Sequence, residues 1–247
     1  MITDGGVEKQ MKAIILAGGK GTRLRPLTYG IPKPLLPVGG KPVIDFVIDN
    51  LLTCKEIDTI YVGISHGATQ IDSYLRNTRL TDNILTVNTL GWETAGDLRT
   101  IMIEKDIYEP VVVAYGDNVT RINIGRLVKF HRKVGMTATI ALFRVPKDEV
   151  RRFGVARMEN NLITEFVEKP KGKVVSNLAN AGYYVVEPQA FYNSEYRKGK
   201  MEDLVFPTLA RENRLAGLVF NLPYWLDIGT LDAYRKANRM VETILPP

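Results

Sequence analysis

Over its first 145 residues the chain alternates short runs of β-branched and aliphatic residues with longer amphipathic stretches, and this alternation constrains the fold more than any other feature. Strand-like runs separated by helix-length segments cannot pair as hairpins; they join through crossovers and build a mostly parallel sheet. The pattern predicts strands at Lys12–Leu16, Thr59–Ile64, Ile84–Val87, Val111–Tyr115 and Thr137–Phe143. Helices are expected between them at Val43–Thr53, Ala68–Arg76, Ala95–Lys105 and Ile122–Val134. After Pro146 the texture changes to strand-like pieces at Val155–Met158, Leu162–Val167, Ala181–Val186 and Gly217–Asn221, with helices at Met201–Arg211 and Leu231–Glu242. The fold class is α/β: a Rossmann-like mixed, mostly parallel sheet flanked by helices. No linker, low-complexity tract or long repeat divides residues 11–247, which read as a single domain. Residues 1–10 are polar and precede a second methionine, Met11, so they read as an extension without a catalytic role.

Charge is unevenly spread. The net charge is +6, yet the segment from Met1 to Lys41 holds Lys9, Lys12, Lys20, Arg23, Arg25, Lys33 and Lys41 against only Asp4 and Glu8. The rest of the chain is close to neutral. No carboxylate occurs between Lys9 and Ile44, which suits a site holding several phosphate charges, since a nearby carboxylate would repel them. A solvated basic face is the plainer alternative. A nucleic-acid surface fits poorly, because Tyr29 is the only aromatic residue before Phe46 in this stretch. The single cysteine, Cys54, allows no internal disulfide and points to a reducing, cytoplasmic setting. No apolar run is long enough for a membrane span or a signal-peptide core.

The first predicted strand runs into Ala17-Gly18-Gly19-Lys20-Gly21-Thr22-Arg23-Leu24-Arg25-Pro26. Glycines directly after a buried strand let the backbone turn sharply and present N–H groups to a phosphate chain, although a plain glycine turn would look the same. Two common nucleotide loops are excluded. A Walker A loop needs Ser or Thr after Gly-Lys, but Gly19-Lys20 precedes Gly21 and Gly40-Lys41 precedes Pro42. A dinucleotide fingerprint needs a glycine where Leu24 stands and an acid near the position of Lys41.

Leu16-Ala17-Gly18-Gly19-Lys20-Gly21-Thr22-Arg23-Leu24 followed by Pro32-Lys33-Pro34-Leu35 resembles the paired signature of the sugar-1-phosphate nucleotidyltransferases, the pyrophosphorylases that make nucleoside-diphosphate sugars. The similarity continues through later landmarks to about Tyr234. It implies the nucleotide-diphospho-sugar transferase fold, with a nucleoside triphosphate and a sugar 1-phosphate as ligands. Leu16, Gly18, Gly19, Gly21 and Thr22 would line the nucleotide. Arg23 would neutralise the triphosphate, and Lys33 would act near its α-phosphate.

Gly116-Asp117-Asn118 follows an apolar strand, where open α/β sheets place ligand groups, and Trp225-Leu226-Asp227-Ile228-Gly229 is a second carboxylate leaving an apolar run. A turn or helix cap would explain either alone. The resemblance makes Asp117 and Asp227 the holders of Mg²⁺, which commonly takes one or two protein carboxylates plus phosphate oxygens. Glu165-Phe166-Val167-Glu168-Lys169-Pro170 is similar to the family's sugar motif: a carboxylate can accept from two sugar hydroxyls while a lysine pairs with the sugar's phosphate. Alternation along a strand sends Glu168 and Lys169 to opposite faces, so both serve one ligand only if the strand ends there, and Pro170 favours that ending. A charged strand edge is the alternative. Gly154 and Asn180 match further sugar contacts.

Leu90-Gly91-Trp92-Glu93-Thr94-Ala95-Gly96 resembles a base-reading loop usually written Leu-Gly-Thr-Ala-Gly, with Thr94 and Gly96 carried over and Trp92 and Glu93 as departures. Gly116-Asp117-Asn118 and Arg152-Phe153-Gly154-Val155 look most like glucose-1-phosphate thymidylyltransferases, while Thr94-Ala95-Gly96 is similar to mannose-1-phosphate guanylyltransferases. The expected activity is nucleotidyl transfer, most closely the thymidylyl reaction, without a carboxyl-terminal β-helix or nucleic-acid and membrane partners; a homo-oligomer is compatible with the sequence. A nucleotide-sugar-binding regulatory subunit without catalysis is the alternative of another class.

Overall fold

The run Met11–Leu16 buries side chains on both of its faces, the condition of a strand covered by helices above and below. It is the central strand of a computed structural model that describes residues 10–78, 83–172, 174, 176–192 and 196–244. Most of the expected extension at 1–10 therefore lies outside the described residues. Along the chain the strands are β1 (Met11–Leu16), β2 (Pro37–Val38), β3 (Lys41–Pro42), β4 (Ile57–Ile64), β5 (Ile84–Asn88), β6 (Val111–Tyr115), β7 (Asn118–Thr120), β8 (Ala138–Arg144), β9 (Gly154–Glu159), β10 (Leu162–Glu168), β11 (Leu178–Val186), β12 (Leu215–Val219) and β13 (Trp225–Asp227).

Nine of these form one sheet in the order β5-β4-β1-β6-β11-β8-β12-β10-β9. The half made of β5-β4-β1-β6 is parallel throughout. The other half is mixed: β11 runs antiparallel to β6 and β8, β12 runs parallel to β8, and β10 is antiparallel to β12 and β9. Side-chain alternation along β1 supplies two cores. Ala13 and Ile15 pack with Ile44, Ile48 and Leu51 of the helix Val43–Leu52 on one face; Ile14 packs with Leu98, Ile101 and Met102 of the helix Glu93–Glu104 on the other. Each such fully buried aliphatic side chain contributes about 1.5–3 kcal/mol relative to leaving it in water. A smaller cluster, with Val38, Val119, Leu226 and Val241, holds the helix Leu231–Ile244 against the β13–β7 and β2–β3 pairs. Among the described residues no helix is long and apolar enough to cross a membrane.

Local differences from the expected elements have identifiable causes. The predicted helix Met201–Arg211 divides into a π-helical turn, Met201–Val205, and an α-helix, Phe206–Arg211. Pro207 lacks the N–H that would continue the i→i−4 ladder at this junction, so the ladder widens. The helix predicted from Ile122 begins instead at Ile124, because Asn123 caps it by accepting from the Arg126 N–H at 2.9 Å.

Strand β11 begins at Leu178, before the predicted Ala181, and its pairing with β8 shifts between Asn180 and Tyr184. Gly182 makes this irregularity with a φ of 80°, and a Cβ there would stand 2.0 Å from Asn118 Nδ2. Gly182→Ala is expected to cost about 3 kcal/mol through combined backbone strain and overpacking. A urea unfolding midpoint equal to that of the unaltered protein would contradict this.

Candidate active site

Because β1, β4, β5 and β6 run in one direction, their carboxyl ends share one edge of the sheet, and the loops that follow them meet there. The glycine loop leaves β1 and is pinned from beneath. Ser65, just past β4, donates to the Gly18 carbonyl at 2.9 Å, and a Cβ on Gly18 would fall 2.5 Å from that hydroxyl. Gly21 has a φ of 59°, and its carbonyl accepts from Thr28 Oγ1 at 2.8 Å. A Cβ on Gly19 would meet no atom within 4 Å, so the loop backbone is open to a ligand at that point. Leu16 closes β1 and accepts from the Gly116 N–H at 3.0 Å, tying this loop to the turn that carries Asp117. Thr22 and Arg23 begin a short 3₁₀ turn anchored by the buried Leu24, and both side chains are exposed.

Lys33 is aimed by its flanking prolines. Pro32 packs where a Cβ on Gly67 would be, 2.5 Å from its ring, and Pro34 is buried. Its side chain is 12% exposed, and the ammonium lies 2.5 Å from Asp117 Oδ2. The second carboxylate is brought alongside by the β13–β7 pair, in which Asp227 is the register partner of Asn118. Asp227 Oδ1 accepts from the Gly229 N–H at 2.5 Å, and Oδ2 pairs with Arg152 Nη2 at 3.2 Å. A Cβ on Gly229 would stand 3.5 Å from the Arg23 guanidinium, so Arg23 reaches across to the Asp227 turn. The basic front and the two carboxylates of separate elements therefore meet. Among the described residues no group of three or more His, Cys, Asp or Glu side chains gathers to form an all-protein metal cage. Asp117, and Asp227 in register with the adjacent Asn118, carry the hard oxygen donors that suit a hard cation completing its shell from phosphate oxygens and water.

The sugar motif behaves as its proline suggests. β10 ends at Glu168, and Lys169 takes a φ of 46°, which turns its ammonium back to 2.7 Å from Glu168 Oε1. Both side chains thus sit on one side. Gly154 is the register partner of Glu168, and a Cβ there would lie 2.6 Å from Glu168 Oε2 and 2.7 Å from the Phe166 ring. Asn180 is held by two bonds, accepting from the Gly182 N–H at 2.8 Å and donating to the Tyr184 hydroxyl at 2.7 Å. That leaves one amide N–H and one lone pair for a ligand.

Thr94 and Gly96 are engaged by the protein itself. Thr94 Oγ1 accepts from the Met201 N–H at 2.9 Å, and a Cβ on Gly96 would collide with the Arg197 carbonyl at 2.5 Å. Their contacts run to the segment after Tyr196 instead of into the glycine loop. Asp97, part of the same loop motif but given no role by it, orders the segment: its Oδ1 accepts from the Trp92 N–H at 2.9 Å, and burial raises its carboxyl above the usual range. Ser65 and Arg152 were also missed. The position of Ser65 past a strand end was the available signal, whereas Arg152 finds its partner only through the fold.

The family model described as Nucleotidyl transferase matches residues 12–244. The chain is 35% identical to a UTP–glucose-1-phosphate uridylyltransferase of Synechocystis sp., covering 94% of this chain and 63% of the relative. It is 33% identical to mannose-1-phosphate guanylyltransferase 1 of Arabidopsis thaliana, over 89% and 61% respectively. The chain thus spans less than two thirds of the length of these curated relatives. A Bacillus anthracis protein with the provisional name glucose-1-phosphate thymidylyltransferase, solved in complex with a sucrose, superposes with a TM-score of 0.78 at 27% identity, covering 93% of this chain and 94% of that one. The match runs over nearly the whole chain, and the chain belongs to the nucleotidyl transferase family.

Proposed function

We propose that the chain transfers a nucleoside monophosphate from a nucleoside triphosphate to a sugar 1-phosphate, releasing pyrophosphate. The observation that carries this reading is that Arg23 reaches the Gly229 turn after Asp227, while the β13–β7 register sets Asp227 opposite Asn118, next to the Lys33–Asp117 pair. A phosphate monoester has a second pKa near ~6, so the sugar phosphate arrives as an anionic nucleophile and needs no general base. One of its oxygens bonds to the α-phosphorus, the bond from that phosphorus to the α–β bridging oxygen breaks, and pyrophosphate departs with the electron pair. The protein's task is to hold two anions in line. The open backbone at Gly19 and the neighbouring Gly18, Gly21 and Thr22 bind the triphosphate; Arg23 stabilises charge on the departing group. Lys33 acts near the α-phosphate, Lys169 orients the incoming phosphate, and Glu168, Asn180 and the Gly154 backbone hold the sugar. Asp117 and Asp227 would hold Mg²⁺, which supplies further charge neutralisation when bound.

For the substrate pair we adopt thymidylyl transfer to glucose 1-phosphate, on the Gly116-Asp117-Asn118 and Arg152-Phe153-Gly154-Val155 stretches. Uridylyl transfer to glucose 1-phosphate and guanylyl transfer to mannose 1-phosphate are the pairs named for its relatives. The test is a grid of the common nucleoside triphosphates against glucose and mannose 1-phosphates, reading pyrophosphate with Mg²⁺ and with excess chelator. Release for dTTP with glucose 1-phosphate that chelation stops is expected. Turnover confined to another pair corrects the substrates, and binding without any release supports the regulatory-subunit alternative.

A further inference from the structure

Beneath the sugar side of the site lies a polar chain that the reaction does not use directly. Tyr115, the last residue of β6 and two positions before Asp117, donates its hydroxyl to Glu202 Oε1 at 2.5 Å. Glu202 is 9% exposed and belongs to the π-helical turn Met201–Val205, where it also accepts from Thr94 Oγ1 at 3.5 Å. The ring of Tyr115 meets the ring of the fully buried Tyr184 edge-on, with centroids 5.4 Å apart. Tyr184 in turn accepts from Asn180 Nδ2 at 2.7 Å. A continuous path of side chains therefore runs from Thr94, at the start of the nucleotide-side helix, through Glu202, Tyr115 and Tyr184 to Asn180, beside the Gly182 irregularity. Burial pushes the Glu202 carboxyl above its ordinary range, so a lost partner there is not readily replaced by water.

We propose that Tyr115 and Glu202 are a positioning pair that sets the orientation of Asn180 and thereby the fit of the sugar 1-phosphate. This rests on the nucleotidyl-transfer reading above. Neither group needs to touch the reacting atoms. Tyr115 braces Tyr184, and Tyr184 fixes which way the Asn180 amide faces. The pair also explains why a π-helical turn is kept at Met201–Val205: it presents Glu202 inward while Met201 bonds to Thr94. Breaking the pair loosens the sugar side and leaves the glycine loop untouched.

The experiment uses the full chain with Tyr115→Phe, Glu202→Gln and, as a control, Tyr192→Phe. Tyr192 also donates from its hydroxyl inside the same layer, to the Met102 and Ile107 carbonyls, but it lies away from the site. Tyr115→Phe is expected to raise KM for the sugar 1-phosphate about tenfold while KM for the nucleoside triphosphate stays within about twofold. Glu202→Gln keeps an oxygen acceptor for Tyr115, so its sugar KM is expected within about threefold of the unaltered protein. Tyr192→Phe is expected to move neither constant. Calorimetric binding of glucose 1-phosphate and mannose 1-phosphate gives a second readout, in which Tyr115→Phe weakens the tighter ligand by a similar factor. Equal shifts in both KM values, no shift, or a Tyr115→Phe profile matching Tyr192→Phe would overturn the inference while pyrophosphate release by the unaltered protein upholds the reading beneath it. An unaltered protein that neither releases pyrophosphate nor binds either sugar phosphate would overturn both.

Discussion

Arg23→Ala is expected to lower turnover by about 10²–10³-fold, the usual loss when one preorganised charge partner of a transition state is removed. The side chain is exposed and the 3₁₀ turn beneath it is anchored by Leu24, so the substitution removes charge without disturbing packing. Its guanidinium also reaches the Asp227–Gly229 turn, where the basic front meets the later carboxylate. The loss is therefore expected in kcat more than in KM for the sugar phosphate, with an unfolding midpoint close to that of the unaltered protein. Near-normal turnover in a well-folded Arg23→Ala protein would remove Arg23 from the proposed machinery.

Asp117→Ala carries an effect of similar size for a different reason. Asp117 is the acceptor of the Lys33 ammonium, whose side chain is 12% exposed, and its neighbour Asn118 is the register partner of Asp227 in the β7–β13 pair. Removing it takes away one of the two proposed metal donors and leaves the Lys33 ammonium without its carboxylate partner. Turnover is expected to fall at least about 10²-fold. Asp117 itself is 37% exposed, so solvent screening limits the stability cost to about 1 kcal/mol. Asp117→Asn separates the two roles: it can still accept from Lys33 but lacks the charge that a divalent cation requires. If Asp117→Asn retains turnover at ordinary Mg²⁺, the carboxylate is not a metal donor. If it is as impaired as Asp117→Ala and recovers in part at raised Mg²⁺, the assignment stands.

Much of this arrangement was legible before any coordinates. The β1 run, with apolar residues on both faces, and the glycines that follow it define both a central strand and the loop it delivers. Pro170 gave a sound reason for Glu168 and Lys169 to share a side, and the left-handed Lys169 is how the chain does it. What stayed hidden was pairing across long separations. Lys33 and Asp117 are 84 residues apart, Arg152 and Asp227 are 75 apart, and Tyr115 and Glu202 are 87 apart; each meeting depends on sheet order and register, which local periodicity does not encode. The two- and three-residue strands β2, β3, β7 and β13 are likewise too short for a period to be read. Thr94 and Gly96 also meet Met201 and Arg197 of the segment after Tyr196, contacts that the loop motif does not show. A motif marks position, and the fold decides which neighbour a side chain meets there.

The β13–β7 pair also bears on how the molecule is made. Thr120 donates to the Tyr224 carbonyl across a separation of 104 residues, and Asp227 follows directly. At roughly 5–20 residues per second of synthesis, several seconds or more pass between the emergence of the glycine loop and the arrival of this last carboxylate. A nascent chain can therefore pair the parallel strands β1, β4, β5 and β6 well before Asp227 exists.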